Sequence, residues 1–419
     1  MADEPRQLSI AATVEGRPRI KRVRIRNYRS IVTCDVNLKP LTVLVGRNGA
    51  GKSNFLDALR LVADGMQGPL DLPLRERGGI DAVRRRSGGH PNNFSIELEI
   101  GFPDQRSAVY HFEITAAKEG GFSVKGERLH LRDASGHVLA YYELRGGRVQ
   151  TSEDNLPSVP KQNDRLFLMV ASSVPAFTPV YELLRTMGFY NLNPVLMKET
   201  HPPSPGELLD REGANISSVI GRLSAEPGGA AMARVRAYLA TIVPGIADVR
   251  RKVLGPVETL EFKQKVAGAK APWVFFAQNM SDGTMRALGV LVAIMQHVNR
   301  AEPVMLVGIE EPETALHPAA ARALVDALRE ASDQTQILLT THSPDLLDSL
   351  DPEVEPLLSV QSEDGNTRIA TIDRASREAV RERLYTLGEL LRNDQLEPDL
   401  EDLERQQELP LFRSHKQAE

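Results

Sequence analysis

Two hydrophobic rhythms alternate along the chain. Ile20, Val23 and Ile25 are interleaved with Lys21, Arg22, Arg24 and Arg26, the spacing of a half-exposed strand with a basic face. A second strand is expected over 32–38. The run Leu41-Thr42-Val43-Leu44-Val45 is almost wholly apolar, as a strand covered on both faces should be. Phe55, Leu56, Leu59 and Val62 then recur at three- and four-residue steps, which predicts a helix. Short alternating segments at 94–102, 108–115, 122–131 and 138–144 predict an antiparallel sheet, with turns at Pro103-Asp104, Gly120-Gly121 and Gly146-Gly147.

Residues 152–163 read as a polar linker, and 166–243 as mostly helical, interrupted by the Pro-rich loop 201–206. A strand pair follows over 249–262. A helix with Leu288, Leu291, Val292 and Met295 on its apolar face runs to about Val298. Two more buried-strand runs lie at 304–309 and 336–340, and a hairpin over 356–372 turns at Asp364-Gly365. The expected class is α/β, with a mixed sheet core, an antiparallel β subdomain and an inserted helical lobe. The expected divisions are a polar, frayed tail (1–18), a first lobe (19–150), the insertion (151–275), a second part of the core (276–375) and an acidic helical tail (376–419).

Chemistry enters between the apolar strand 41–45 and the helix after it. Gly46-Arg47-Asn48-Gly49-Ala50-Gly51-Lys52-Ser53 is a complete G-x-x-x-x-G-K-[ST] loop, followed by Asn54. Its glycines let successive backbone N–H groups point at phosphates, and the helix that follows aims its positive dipole end at the same place. Lys52 supplies a point charge to the β- and γ-phosphates of a nucleoside triphosphate such as ATP, and Ser53 offers a hydroxyl to Mg2+. The strand at 304–309 ends on Glu310-Glu311. Glu310 is the expected metal-side carboxylate, in a place more often held by aspartate, and Glu311 the expected general base.

Composition narrows the setting. The chain has 419 residues, 41% hydrophobic and 26% charged, with a net charge of -5, so it is not a protein that coats nucleic acid over its whole surface. One cysteine, Cys34, excludes an internal disulfide framework and fits a reducing cytoplasm. No apolar run reaches the roughly 18–20 residues that span a bilayer, and the N-terminus lacks a signal-peptide layout, so a cytoplasmic protein is expected. Seven cations and no acids lie between Arg17 and Arg29, of which Arg22, Arg24, Arg26 and Arg29 are candidate contacts to double-stranded DNA. The alternative is a solvated edge strand, where Lys and Arg block aggregation. Residues 397–408 hold six acids and one base, read as a solvated helix or a dock for a basic partner.

Four segments in order, "IRNYRSI" (25–31), "SDGTMRALGVL" (281–291), "IEEPETALHP" (309–318) and "TTHSPDLLD" (340–348), resemble the ABC-type ATPase heads of the RecF, SMC and OLD group, most of all the stand-alone members. The resemblance covers roughly residues 20–395 and is general in character over 100–270. It implies an ABC-type P-loop fold in which Ser281, Asp282, Gly283 and Thr284 form a signature motif that caps ATP held by a second copy. Asp282 departs from the transporter-like Ser-Gly-Gly. The resemblance also implies that Pro312–Leu316 is the D-loop and His342 the switch histidine. His317 is structural or a support to the D-loop. No Q-loop glutamine is assignable, since Gln67 comes too early. After His342 only 77 residues follow, without the carboxylate set of a TOPRIM nuclease, and no heptad arms interrupt the chain.

The function expected from this pattern is an ATP- and Mg2+-dependent homodimeric switch. It would act on DNA or on a separately encoded effector, a nuclease by preference, in anti-phage defence or DNA repair. Two alternatives stand beside it: the ATPase subunit of a membrane transporter, and a DNA-binding scaffold with weak ATPase.

Overall fold

The computed structural model describes residues 16–86, 92–117, 120–158, 164–296, 304–352 and 355–408. Residues 1–15 of the expected tail, most of the end of the linker, the helix end at Val298 and the last eleven residues lie outside the described residues.

Sixteen strands are described. The first three are β1 (Arg19–Tyr28), β2 (Ile31–Asn37) and β3 (Leu41–Val45), and the antiparallel segments are β4 (Asn93–Gly101), β5 (Ser107–Ala116), β6 (Phe122–Arg132), β7 (Val138–Arg145) and β8 (Arg148–Thr151). Residues 188–276 contribute β9 (Gly188–Tyr190), β10 (Ile246–Leu254), β11 (Val257–Gln264) and β12 (Trp273–Phe276). The last four are β13 (Leu306–Glu310), β14 (Gln336–Thr341), β15 (Leu357–Glu363) and β16 (Asn366–Thr371). Thirteen form one mixed sheet in the order β8-β7-β6-β5-β4-β1-β2-β16-β15-β3-β14-β13-β9, and β10-β11-β12 form a separate antiparallel sheet. The mixed α/β architecture expected from sequence is therefore present.

The parallel centre positions the chemistry. β14 pairs with β3 and with β13 in parallel, so Val45, Thr341 and Glu310 finish at one end of the sheet. Strand alternation divides the centre between two cores. Leu44, Leu306 and Leu338 point into the core that includes Phe55, Leu59 and Val62 of the helix Lys52–Gly65 and the antiparallel wing. Val43, Val45, Val307, Ile309, Ile337 and Leu339 point into the other, against helices Asp282–Met295 and Ala321–Ser332.

Three features differ from the sequence reading. β1 lies inside the sheet, flanked by β2 and β4, and is not an edge strand. The largely helical stretch 166–243 contains β9, which joins the main sheet beside β13. The acidic helix Leu400–Glu408 is docked rather than solvated all round: Leu403 is buried, and Gln406 accepts from Asp35 N (3.0 Å) and donates to Ile369 O (3.0 Å). Those two bonds bridge β2 and β16, which pair directly only at Thr367 and Ile31. Cys34 is buried, as its place among alternating apolar residues implied.

Candidate nucleotide and metal site

The Gly-rich loop leaves buried β3 and enters the helix Lys52–Gly65 with Gly49 at φ 80° and Gly51 at φ 108°, conformations that favour glycine. Space adds a second reason. A Cβ on Gly46 would lie 2.1 Å from the Val360 carbonyl oxygen, and one on Gly51 would lie 2.0 Å from Thr367 Oγ1. The loop thus rests on the β15–β16 hairpin, with Thr367 Oγ1 donating to Ala50 O (2.9 Å). Lys52 is buried and donates from Nζ to Gly46 O (2.7 Å) and Arg47 O (3.0 Å), folded into the loop's own curve. Burial lowers its pKa, opposed by the charges of Glu311 and Glu313. Asn54 donates to Ser30 Oγ (2.7 Å), tying the helix to the β1–β2 turn.

Across the sheet end, Ser53 Oγ donates to Glu310 Oε2 at 2.8 Å. The hydroxyl and the carboxylate expected to serve one metal are therefore adjacent, although 257 residues separate them in sequence. Both are hard oxygen donors, and a pair of this kind suits Mg2+, which takes its remaining positions from phosphate and water. Beside them His342 Nδ1 lies 3.0 Å from Glu311 Oε1. Glu311 is held at φ 44°, a left-handed conformation rare for a residue with a side chain, and its N–H donates to Thr340 O (3.0 Å). That bend turns the carboxylate off the strand line towards His342. Glu313 is half-buried and accepts from Thr341 Oγ1 (2.5 Å), and desolvation raises its pKa.

Ser281 caps the helix Asp282–Met295 by accepting from Thr284 N (3.1 Å), and Asp282 pairs with Lys198. Gly283 sits against the loop after β13, where a Cβ would lie 2.2 Å from Ala315 O. Ser281, Gly283 and Thr284 line an open cleft of about 540 Å³ with Ala315, Leu316 and His317. Gly46, Arg47, Asn48, Gly49 and Ala50 line a different one, of about 590 Å³, with residues of β15 and the segment 391–397. The two halves of the expected chemistry thus border separate clefts of one chain. His317 caps the short turn Pro318–Ala320, its Nδ1 accepting from Ala319 N (3.2 Å).

The basic stripe is largely compensated from within. Arg22 and Arg24 both pair with Asp35 (2.5 and 2.9 Å), Arg24 reaches Glu97 (2.5 Å), and Arg29 pairs with Asp57 (2.9 Å). Arg26 is exposed. Sequence alone gave these arginines no partners because Asp35 and Glu97 come from the neighbouring strands β2 and β4.

One residue near the site escaped the sequence reading. β9 pairs in parallel with β13 through Gly188–Tyr190, and Asn191 N just after it donates to Arg211 O (3.0 Å). Arg211, from a loop of the insertion, lies 3.6 Å from Glu310 Oε1. β9 has only three residues, too few to show a strand period.

A G-x-x-x-x-G-K-S loop, a Ser–Glu pair and a Glu–His pair at the ends of parallel strands, with a helix-capping Ser-x-Gly on a separate cleft, form the arrangement expected of an ABC-type ATPase head. The fold is that of SMC heads, and parts of the chain resemble an AAA-domain family and an OLD nuclease. Residues 41–157 and 270–348, a little under half of the chain, match the family described as "AAA domain, putative AbiEii toxin, Type IV TA system". The OLD nuclease of Thermus scotoductus is 26% identical over 347 residues, covering 78% of this chain. The chain spans 59% of that relative's length. Among solved structures, an Smc head bound to the C-winged helix domain of ScpA has a TM-score of 0.51 at 14% identity, with 86% of this chain and 99% of that one covered. An Smc head with an extended coiled coil, bound to the C-terminal domain of ScpA and derived from Pyrococcus furiosus, has a TM-score of 0.53 at 11% identity, with 88% and 99% covered. Among the described residues, no helix is long and apolar enough to cross a membrane.

Proposed function

We propose that the protein binds and hydrolyses ATP as a homodimeric switch, two chains enclosing two nucleotides. The observation that carries this reading is the separation of clefts: the loop 46–53 borders one, and Ser281 with Gly283 borders another. Neither chain is then a finished catalyst. Each lends its signature corner to the other's nucleotide, where the N-terminus of a helix favours a γ-phosphate.

In this reading the backbone N–H groups of 47–53 and Lys52 hold the phosphates, with Asn54 securing the first turn of the helix. Ser53 and Glu310 hold Mg2+, which would neutralise charge on the β- and γ-oxygens. Glu311 takes the proton from the attacking water, and His342, 3.0 Å from it, orients that carboxylate and contacts the γ-phosphate. Closing and opening of the dimer would be read by DNA or by a separately encoded effector, in defence or repair. The family description and the OLD relative favour an effector over a transporter.

The test mixes a Lys52→Ala chain with a Ser281→Arg chain. Each is inactive alone, and one intact composite site per mixed dimer should restore turnover. Absence of recovery, with both variants folded and shown to pair, refutes the shared-site reading.

A further inference from the structure

Glu310 is claimed from two sides. Its Oε2 accepts from Ser53, while its Oε1 faces the Arg211 guanidinium at 3.6 Å. Arg211 is not near this carboxylate by the accident of a free side chain, because its loop is clipped in place. Asn191 N donates to Arg211 O (3.0 Å), and Asn193 N donates to Glu212 O (3.0 Å), immediately after β9.

Leu209, together with the segment 190–198 that clips this loop, also holds the signature helix. At the helix C-terminus, Gln296 accepts from Leu209 N (2.9 Å) and donates to Tyr190 Oη (2.8 Å). At its N-terminus, Asp282 pairs with Lys198 of the short helix Pro194–Lys198. Midway, Gly289 faces Met197 and Leu192. A continuous set of contacts therefore runs from Glu310 through Arg211 to both ends of Asp282–Met295.

A guanidinium keeps its proton at any working pH, so the charge opposite Glu310 is permanent. A hard dication that takes Glu310 as a ligand must compete with it. Arg60, itself paired with Asp57 and Asp64, lines the same small cleft as Arg211 and Glu310 and puts a second cation on that side. We propose that Arg211 is a positioning residue that occupies Glu310 until Mg2+ and ATP enter. Its release clears Glu310 for the metal, and the contacts of residues 209–212 with Asn191, Asn193 and Gln296 link that change to the signature helix that closes on a second copy. This rests on the reading of Ser53 and Glu310 as the metal-side pair.

The experiment uses the full chain with Glu311→Gln, which stops turnover, and titrates Mg2+ while following a fluorescent ATP analogue and, by light scattering, dimer formation. Adding Arg211→Ala should lower the Mg2+ concentration for half-maximal binding about threefold, the scale of a partly exposed ion pair. The dimer threshold should fall in parallel. Arg211→Lys, a point charge without the planar fork, should lie between. An unmoved Mg2+ requirement overturns the proposal. So does weaker nucleotide binding without Mg2+, which would mean that Arg211 touches the nucleotide. A shift in binding with an unmoved dimer threshold overturns the coupling. Glu310→Ala separates the two levels: if it keeps the parent's Mg2+ requirement, the metal-side reading itself fails, whatever Arg211 does.

Discussion

Gly283→Ala sets two effects against each other with opposite signs. Gly283 is the second residue of a 14-residue helix, and alanine there gains up to about 1 kcal/mol in helix propensity. Local preference alone therefore predicts a more stable protein. The structure predicts the reverse. The added methyl would sit 2.2 Å from Ala315 O and 3.2 Å from its carbonyl carbon, so backbone must move by more than an ångström. That backbone is poorly placed to yield. Ala315 already sits at φ 65°, and its neighbours are closed by Thr314 N to Glu311 O (3.1 Å) and Leu316 N to Glu313 O (2.9 Å). Overpacking of this kind costs about 1–3 kcal/mol, which exceeds the propensity gain. The net expectation is destabilisation by about 1 kcal/mol, with lost turnover because the displaced loop carries Glu311. Gly289→Ala in the same helix is the control: its methyl meets only side-chain atoms of Met197 and Leu192, so the clash is smaller and the net change lies near zero. Urea unfolding followed by circular dichroism measures both. A Gly283→Ala chain at least as stable as the parent, or less affected than Gly289→Ala, would refute the reasoning.

Three further outcomes follow from the same geometry. Glu311→Gln should retain ATP binding, accumulate a closed dimer and reduce phosphate release by at least about 100-fold; residual turnover near the parent rate would remove Glu311 as general base. Arg77→Ala should destabilise by about 1.5–3 kcal/mol, because a side chain only 1% exposed donates to both Asp57 (3.0 Å) and Asp64 (2.7 Å), while Arg29 and Arg60 remain to pair with Asp57; a melting curve like the parent's would count against this. Glu127 is fully buried and accepts from Phe167 N, Leu168 N, Tyr110 and Tyr142, yet desolvation outweighs these donors and raises its pKa to about 6. The folded state then holds this proton more tightly than the unfolded chain, so the group's contribution to stability is greatest below about pH 4.5 and declines as pH rises towards 6. Glu127→Gln should flatten the fall in melting temperature over that interval, and an unchanged slope would show that the group is not its source.

The local parts of this protein were legible because their causes are local. An apolar run before glycines gives a buried strand and a tight Gly-rich loop, Ser281 caps because a hydroxyl there reaches Thr284 N, and the alternation of β4 to β7 needs only neighbouring residues. What the sequence could not carry is adjacency across hundreds of residues. Pairing of Ser53 with Glu310 follows from β3, β14 and β13 lying side by side in parallel. The same holds for the arginine stripe, which looks like a phosphate-binding face until β2 and β4 bring Asp35 and Glu97 against it. A three-residue strand such as β9 has too few positions to reveal a period, so Arg211 came into view only with the sheet order. Composition, loop chemistry and strand pattern were thus settled by the order of residues. Charge compensation, and which carboxylate meets which hydroxyl or guanidinium, were decided by tertiary packing, because Coulomb and hydrogen-bond energies depend on distance in space and not along the chain.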